Sequence, residues 1–344
     1  MDDVVSLHDF EPLARAAIEP GAFGYVAGGA WDELTLADNL AAWRRRTLRP
    51  RVLVDVSCVT AATTLLGAAA SLPVAIAPVA AHGLMHPDGE LATARAAAAA
   101  GVPFILSTFA SRSIEAVAVV APDATRWFQL YVQTDAGRTR DLVERAAAAG
   151  YGALVLTVDM PVLGYRERDR RSRFDTTDPR RPLELPGAEE RSQPPPTLTW
   201  ADLAGIRAWA PGLPLVLKGI LTAEDARLAV EHGADGVVVS NHGARQLDRV
   251  AATADVLEEV AGAVGGRAEV WVDGGVRRGL DVAIALALGA RGVLVGRPVL
   301  WALAAGGQAG VEHALAILRE ETELALALLG VTDPSGVTRA HVAR

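Results

Sequence analysis

LPLVLKGILTAEDARLAVEHGADGVVVSNHGAR, residues 213–245, contains one complete period of this chain's architecture. Leu215–Leu217 is a short apolar run suited to a buried strand, and Ala223–His232 carries Ala, Leu, Glu and Arg at helical spacing and closes at Gly233. Gly236–Val239 is again a β-branched run. Two such strands joined by a helix form the repeating unit of a parallel α/β sheet.

The same rhythm extends in both directions. Strands are expected at Val74–Ala77, Phe104–Ser107, Trp127–Tyr131, Leu154–Val158, Val270–Val272 and Gly292–Val295 in addition to the two above. Helices are expected at Gly89–Ala100, Ile114–Val120, Arg138–Ala149, Trp200–Trp209, Thr253–Val264, Gly279–Leu288 and Pro298–Ala304. Eight βα units over residues 72–306 match the ~250 residues of a closed (β/α)8 TIM barrel better than an open doubly wound sheet. The whole chain reads as one domain: an N-terminal helical capping segment over residues 1–70, the barrel, and a C-terminal helix over 309–330. Between the fourth strand and its helix lies a stretch rich in Arg, Pro and Asp, residues 164–199, with PPP at 194–196; a connection this long suggests an active-site flap.

Composition narrows the function classes. With 344 residues, 51% of them hydrophobic, the chain can bury a large core, and a net charge of −8 argues against a non-specific grip on nucleic acid or an anionic membrane. The only cysteine, Cys58, excludes an intrachain disulfide, no stretch approaches the ~20 apolar residues of a membrane span, and the acidic start MDDVVSLHDFEPLARAAIEP is unlike a secretion signal. A cytoplasmic protein is expected. His82 and His86 stand four apart, but Gly83 and Pro87 disfavour the helix that a metal pair would need, so no metal site is expected.

In a barrel of this kind the C-terminal ends of the strands carry the chemistry. Here they read Gln129-Leu130-Tyr131, Thr157-Val158-Asp159, Lys218-Gly219 and Ser240-Asn241-His242-Gly243-Ala244-Arg245, followed by Asp273-Gly274-Gly275-Val276-Arg277 and Val295-Gly296-Arg297. Small residues ahead of helix starts expose backbone N–H groups, and Arg277 and Arg297 add charge, so the last two strands call for a phosphate-bearing ligand.

These motifs resemble a known family. SNHGARQLD (240–248), LKGILTAEDA (217–226), DGGVRRGLDV (273–282) and LVGRPVLWALAAGGQAGV (294–311) are similar to the FMN-dependent 2-hydroxy acid oxidases and dehydrogenases, which oxidise glycolate, lactate or mandelate. The likeness continues through YVAGGAWDELTL (25–36), HPDGELATARAAAAAG (86–101), FQLYV (128–132) and LTVDMPVLGYRERD (156–169), essentially the whole chain.

The resemblance implies FMN as cofactor and assigns roles. His242 receives a substrate proton, from the hydroxyl or the α-carbon, and Asp159 orients it; an imidazole suits this because its unperturbed pKa of ~6.5 lies near neutrality. Arg245 and Arg166 pair with the substrate carboxylate, and Tyr25 and Tyr131 complete the substrate site. Lys218 stands beside the flavin where negative charge develops on reduction. Ser107, Gln129, Thr157 and Ser240 join it on the ring and ribityl chain. Asp273, Gly274, Gly275, Arg277, Gly296 and Arg297 surround the ribityl end and phosphate, and the backbone of Ala77, Pro78, Val79 and Ala80 borders the reactive nitrogen.

Departures from the glycolate-oxidising pattern bear on substrate. Phe109 stands where Trp is common, Val79 where Thr is frequent, and the flap is short; with STFASRS (107–113) and APVAAHGL (77–84), the likeness is nearest to bacterial mandelate or 4-hydroxymandelate oxidases. An aromatic or bulky (S)-2-hydroxy acid, with O2 reduced to H2O2, is therefore expected, and by resemblance a homotetramer. The alternatives are a lactate or glycolate dehydrogenase using another acceptor, a non-redox phosphate-binding barrel in which Lys218 forms a Schiff base, and a pseudoenzyme; the intact polar set argues against the last.

Overall fold

In a computed structural model, which describes residues 1, 3–174 and 197–343, eight parallel strands close into a barrel. They are β1 (Val74–Ile76), β2 (Phe104–Ser107), β3 (Arg126–Leu130), β4 (Leu154–Thr157), β5 (Leu215–Ile220), β6 (Gly236–Val239), β7 (Glu269–Val272) and β8 (Gly292–Val295). Each pairs with its successor, and β8 closes on β1. The strands expected from sequence are all present, three with identical bounds and the others with ends moved by one to three residues.

Because side chains alternate along a strand, the barrel has two cores. Outward-facing residues such as Phe128, Leu156, Leu217 and Val239 pack against the helix layer. Inward-facing Ala75, Ile105, Trp127, Val155, Val216, Val238, Trp271 and Leu294 form a closed inner layer, where Trp127 and Trp271 meet edge to face at 5.1 Å. A short hairpin, Thr63–Leu65 with Ala68–Ala70, adds Leu65 and Ala70 to this inner layer.

Moving two residues along each strand from that layer gives Ala77, Ser107, Gln129, Thr157, Lys218, Ser240, Asp273 and Gly296. The strand period thus places all eight at the C-terminal mouth, on an apolar floor.

The helices between the strands lie close to expectation. Two regions differ in detail. Trp200–Trp209 divides into a 3-10 turn (Trp200–Asp202) and a helix (Leu203–Trp209), because Thr199 and Asp202 cap each other across the first turn. The last two helices run together as Arg297–Leu329, interrupted only by the non-helical Gly306 and Gly307.

Before the barrel, α1 (Phe10–Ala17), α2 (Pro20–Ala27) and α3 (Leu34–Arg44) reach the C-terminal mouth. There, Arg297 donates to the carbonyls of Val26 and Gly28, and Trp43 Nε1 donates to Gly274 O. Residues 164–174 of the expected flap form a turn and a short helix, Glu167–Ser172; residues 175–196, including PPP, lie outside the described residues. Among the described residues no helix is long and apolar enough to cross a membrane, and no cluster of His, Cys, Asp and Glu could hold a metal ion.

Candidate functional site

A cavity of about 430 Å³ opens at the mouth of the barrel. Seven of the eight mouth-layer residues line it. Ser240 lies beneath, where its Oγ accepts from Lys218 Nζ at 2.8 Å and from His242 N at 3.1 Å. His242, Tyr131, Tyr25, Arg166 and Arg245 line one part of the cavity and Gly274, Gly275, Arg277, Gly296 and Arg297 another, with Pro78, Val79 and Ala80 on a side; the two parts meet at Gly28, whose carbonyl accepts from both Arg245 and Arg297.

His242 follows β6 in a left-handed conformation, φ 59°, which turns its ring toward β4. Its Nδ1 lies 2.8 Å from Asp159 Oδ1, so this nitrogen carries the proton and donates. That leaves Nε2 with a free lone pair, and Tyr131 OH donates to it at 3.2 Å. Burial works to raise the Asp159 carboxyl, but the imidazole and the Lys218 ammonium outweigh it and hold the group below the ordinary carboxylate range. Burial, reinforced by the Asp159 charge, raises the Tyr131 phenol, which stays protonated.

Asp159 does not line the cavity. It stands behind His242, packed on Gly219, where β5 bulges against β6. A Cβ on Gly219 would lie 2.5 Å from Asp159 Cβ, and the backbone there has φ +119°, so only glycine admits the carboxylate.

Arg245 Nη1 donates to the carbonyls of Tyr25 and Gly28 at 2.6 and 2.9 Å, with its guanidinium over the Tyr25 ring at 4.9 Å. Arg166 Nε donates to Arg245 O at 3.2 Å. Neither guanidinium has an ion pair among the described residues. Burial, with the neighbouring Arg245 charge, pushes Arg166 down to about 10.

Arg277 and Arg297 are buried in the same way. Burial pushes Arg277 down to about 10 and Arg297 to about 9, and their guanidinium bonds go to backbone carbonyls: Val276 for the first; Val26, Gly28 and Gly243 for the second. Gly296 caps the long helix that begins at Arg297, and a Cβ on Gly275 would lie 2.0 Å from Asn39 O. Two cations without an ion pair among the described residues, a helix N-terminus and a closely approached glycine turn make a phosphate cradle.

Along the mouth layer the polar groups suit a flat heterocycle. Gln129 Oε1 accepts from Ser107 Oγ at 3.1 Å, leaving its Nε2 donor buried and without a partner. Lys218 Nζ is paired with Asp273 Oδ2 at 2.7 Å, an ion pair absent from the sequence reading, while Asp273 Oδ1 is buried without a partner. An unused amide donor and a cation in the floor, with a phosphate cradle beyond, fit FMN. Held by Asp273 and Ser240, Lys218 is not placed as a Schiff-base nucleophile.

The site-residue expectations therefore converge on one cavity, apart from the supporting Ser240 and Asp159. The sequence reading missed Met160, Leu163, Asp169 and Phe174, which also line it. Asp169, whose carboxyl burial raises, faces the two substrate-end guanidiniums; its place three residues after Arg166 was the available signal. Phe174 stacks tilted on Tyr25 at 5.7 Å, and Phe109 stacks on Tyr131 at 5.0 Å, so the substrate end is walled by aromatic rings.

Comparison with known proteins agrees with this arrangement. Residues 14–344 match the family described as FMN-dependent dehydrogenase. The chain is 50% identical to an L-lactate oxidase from Nostoc sp., covering 96% of this chain and 95% of that one. It is 46% identical to glycolate oxidase 1 from Oryza sativa subsp. indica, covering 99% and 96%. A crystal structure of mandelate oxidase superposes with a TM-score of 0.93 at 45% identity, covering 99% of this chain and 98% of that one.

Proposed function

Because the chain belongs to the FMN-dependent dehydrogenase family, we propose that its cavity oxidises an aromatic or bulky (S)-2-hydroxy acid to the 2-oxo acid, with O2 reduced to H2O2. The observation that carries this reading is that His242, whose Nδ1 is taken up by Asp159 and whose Nε2 faces the cavity, shares that cavity with two guanidiniums, Arg166 and Arg245, that have no ion pair among the described residues.

FMN, when bound, supplies the two-electron acceptor and returns the electrons to O2. Arg245 and Arg166 take the substrate carboxylate, at roughly 1.5–3 kcal/mol per charge-assisted bond. That contact directs the hydroxyl-bearing carbon toward His242. Nε2 takes the substrate proton, and the Asp159 carboxylate on the far side stabilises the resulting imidazolium, as the buried acid of a catalytic triad does. Tyr131 OH, kept protonated by burial, donates a hydrogen bond beside the substrate hydroxyl. Lys218, fixed by Asp273 and Ser240, would offer a bound flavin a positive charge that stabilises its reduced form.

Phe109, Phe174, Met160, Leu163 and Val79 supply apolar walls, which favour an aryl side chain over a methyl or hydrogen. The 50% identity to an L-lactate oxidase favours lactate or glycolate as the second reading. Anaerobic bleaching of the flavin decides between them: (S)-mandelate or 4-hydroxymandelate should bleach fastest, and faster bleaching by lactate or glycolate selects the second reading. In the same assay His242→Ala should keep its yellow colour and lose at least ~10²-fold in reduction rate; unchanged reduction would place the base elsewhere.

The single-domain organisation over 1–344, a homotetramer and a cytoplasmic location rest on the family likeness and composition. Sedimentation velocity at four chains tests the tetramer.

A further inference from the structure

Three consecutive residues carry the imidazole into the cavity with positive φ: His242 (59°), Gly243 (62°) and Ala244 (63°). Residues with a Cβ avoid this region because the Cβ crowds the following carbonyl, so such a run persists only where its surroundings over-determine it. Those surroundings centre on Asn241. Its main-chain O and its Oδ1 both accept from Ala244 N, at 2.9 and 3.1 Å, which closes the turn.

Asn241 is itself held from far away in the chain. Its Oδ1 accepts from Asn39 Nδ2 at 2.9 Å, and its Nδ2 donates to Asn39 Oδ1 at 2.9 Å and to Ala251 O at 3.2 Å. Both asparagines are buried, 2% and 4% exposed, so this reciprocal amide pair is shielded from water. Asn39 sits on α3, in the capping segment, and its Oδ1 also accepts from Thr253 N at 3.3 Å. The same residue backs the phosphate turn: a Cβ on Gly274 would lie 3.2 Å from its Nδ2. Asn39 does not line the cavity, so it touches neither substrate nor cofactor.

We propose that Asn39 is a positioning residue for the reaction: through its amide pair with Asn241 it holds the left-handed turn at 242–244, and with it the alignment of His242 on Asp159. The capping segment is thereby part of the catalytic apparatus rather than only a cover. This inference rests on His242 acting as the base. The side-chain chemistry is specific. An aspartate at 39 would set two acceptors against Asn241, whose amide offers a donor on one side only, so one contact would remain repulsive whichever way that amide is turned. A serine or alanine would leave buried amide groups unmatched.

The test uses the FMN-loaded enzyme with Asn39→Asp, Asn39→Ala, Asn241→Ala and the double alanine variant. Because Asn39 also backs the phosphate turn, each variant is saturated with FMN and rates are compared per bound flavin. Anaerobic flavin reduction by the preferred hydroxy acid should slow by about ten- to a hundred-fold, the scale of a displacement near 1 Å at the reacting groups. The double variant should be no slower than the slower single one, because both remove the same contact. Independently of turnover, the His242 titration followed by NMR should move in Asn39→Ala, which adds no charge, in the direction seen in Asp159→Asn. If Asn39→Asp does not fold, Asn39→Ser carries the same expectations.

Reduction within about two-fold of the parent in every variant, additive losses in the double variant, or an unmoved His242 titration would overturn the proposal. A parent enzyme bleached by no 2-hydroxy acid would defeat the functional reading instead, and the titration would still decide this one.

Discussion

Asp159→Asn isolates the electrostatic part of the site. In the parent, Asp159 Oδ1 accepts from His242 Nδ1 at 2.8 Å, which makes Nε2 the basic nitrogen and stabilises the imidazolium once Nε2 has taken a proton. The asparagine is isosteric but neutral, and its amide can donate to Nδ1 and so favour the tautomer that blocks Nε2. Unit charges ~4 Å apart at an effective dielectric of ~20 attract by about 4 kcal/mol. At ~1.4 kcal/mol per tenfold, the predicted loss in flavin reduction is roughly 10³-fold. Stopped-flow bleaching without oxygen, at saturating substrate and across pH 5–9, measures it. The Asp159 carboxyl is held below the ordinary range of ~3.9, so its charge is present above that value and lost only as pH falls through the lower folded pKa. Across the assay window the loss should therefore not depend on Asp159 titration. FMN content should be unchanged, because Asp159 does not line the cavity. A loss below about tenfold with FMN retained would refute the claim that Asp159 both sets the tautomer and stabilises the cation.

Arg277→Leu should weaken FMN binding by roughly 10- to 150-fold, the equivalent of ~1.5–3 kcal/mol for one charge-assisted phosphate contact; titration of apoprotein by flavin fluorescence quenching checks it, and an unchanged Kd would remove Arg277 from the cradle. Arg245→Met should retain FMN while weakening a carboxylate inhibitor by about 10- to 100-fold, read from the flavin difference spectrum; equal inhibitor affinity would discard its role. Gly219→Ala sets a methyl 2.5 Å from Asp159 Cβ on a backbone at φ +119°. It should cost ~1–3 kcal/mol in chemical denaturation and slow flavin reduction as well; parent-like values of both would show that the bulge tolerates a side chain.

Much of this was readable in the linear chain, for a physical reason. Buried parallel strands are short β-branched runs, and the period of two then dictates which residue of each strand reaches the mouth. That is why Ser107, Gln129, Thr157, Lys218 and Asp273, which stand at or just past strand ends, all line one cavity. The anion-binding ends were legible because small residues beside arginine at strand–helix turns have few other uses.

Contacts between distant segments were not legible. Asn39 and Asn241 are 202 positions apart and form a hydrogen-bonded pair, Lys218 meets Asp273 across the barrel floor, and Gly219 yields space to Asp159. Local periodicity carries no information about such pairs, because the energy that selects them appears only after the barrel has closed and excluded water. Strand order, the polar mouth layer and the chemical types available to the site were determined by sequence alone. Which nitrogen of His242 is basic, which cations gather at the cavity and what holds the imidazole in a disfavoured conformation were decided by the tertiary structure, since each depends on distances and burial that only the folded chain defines.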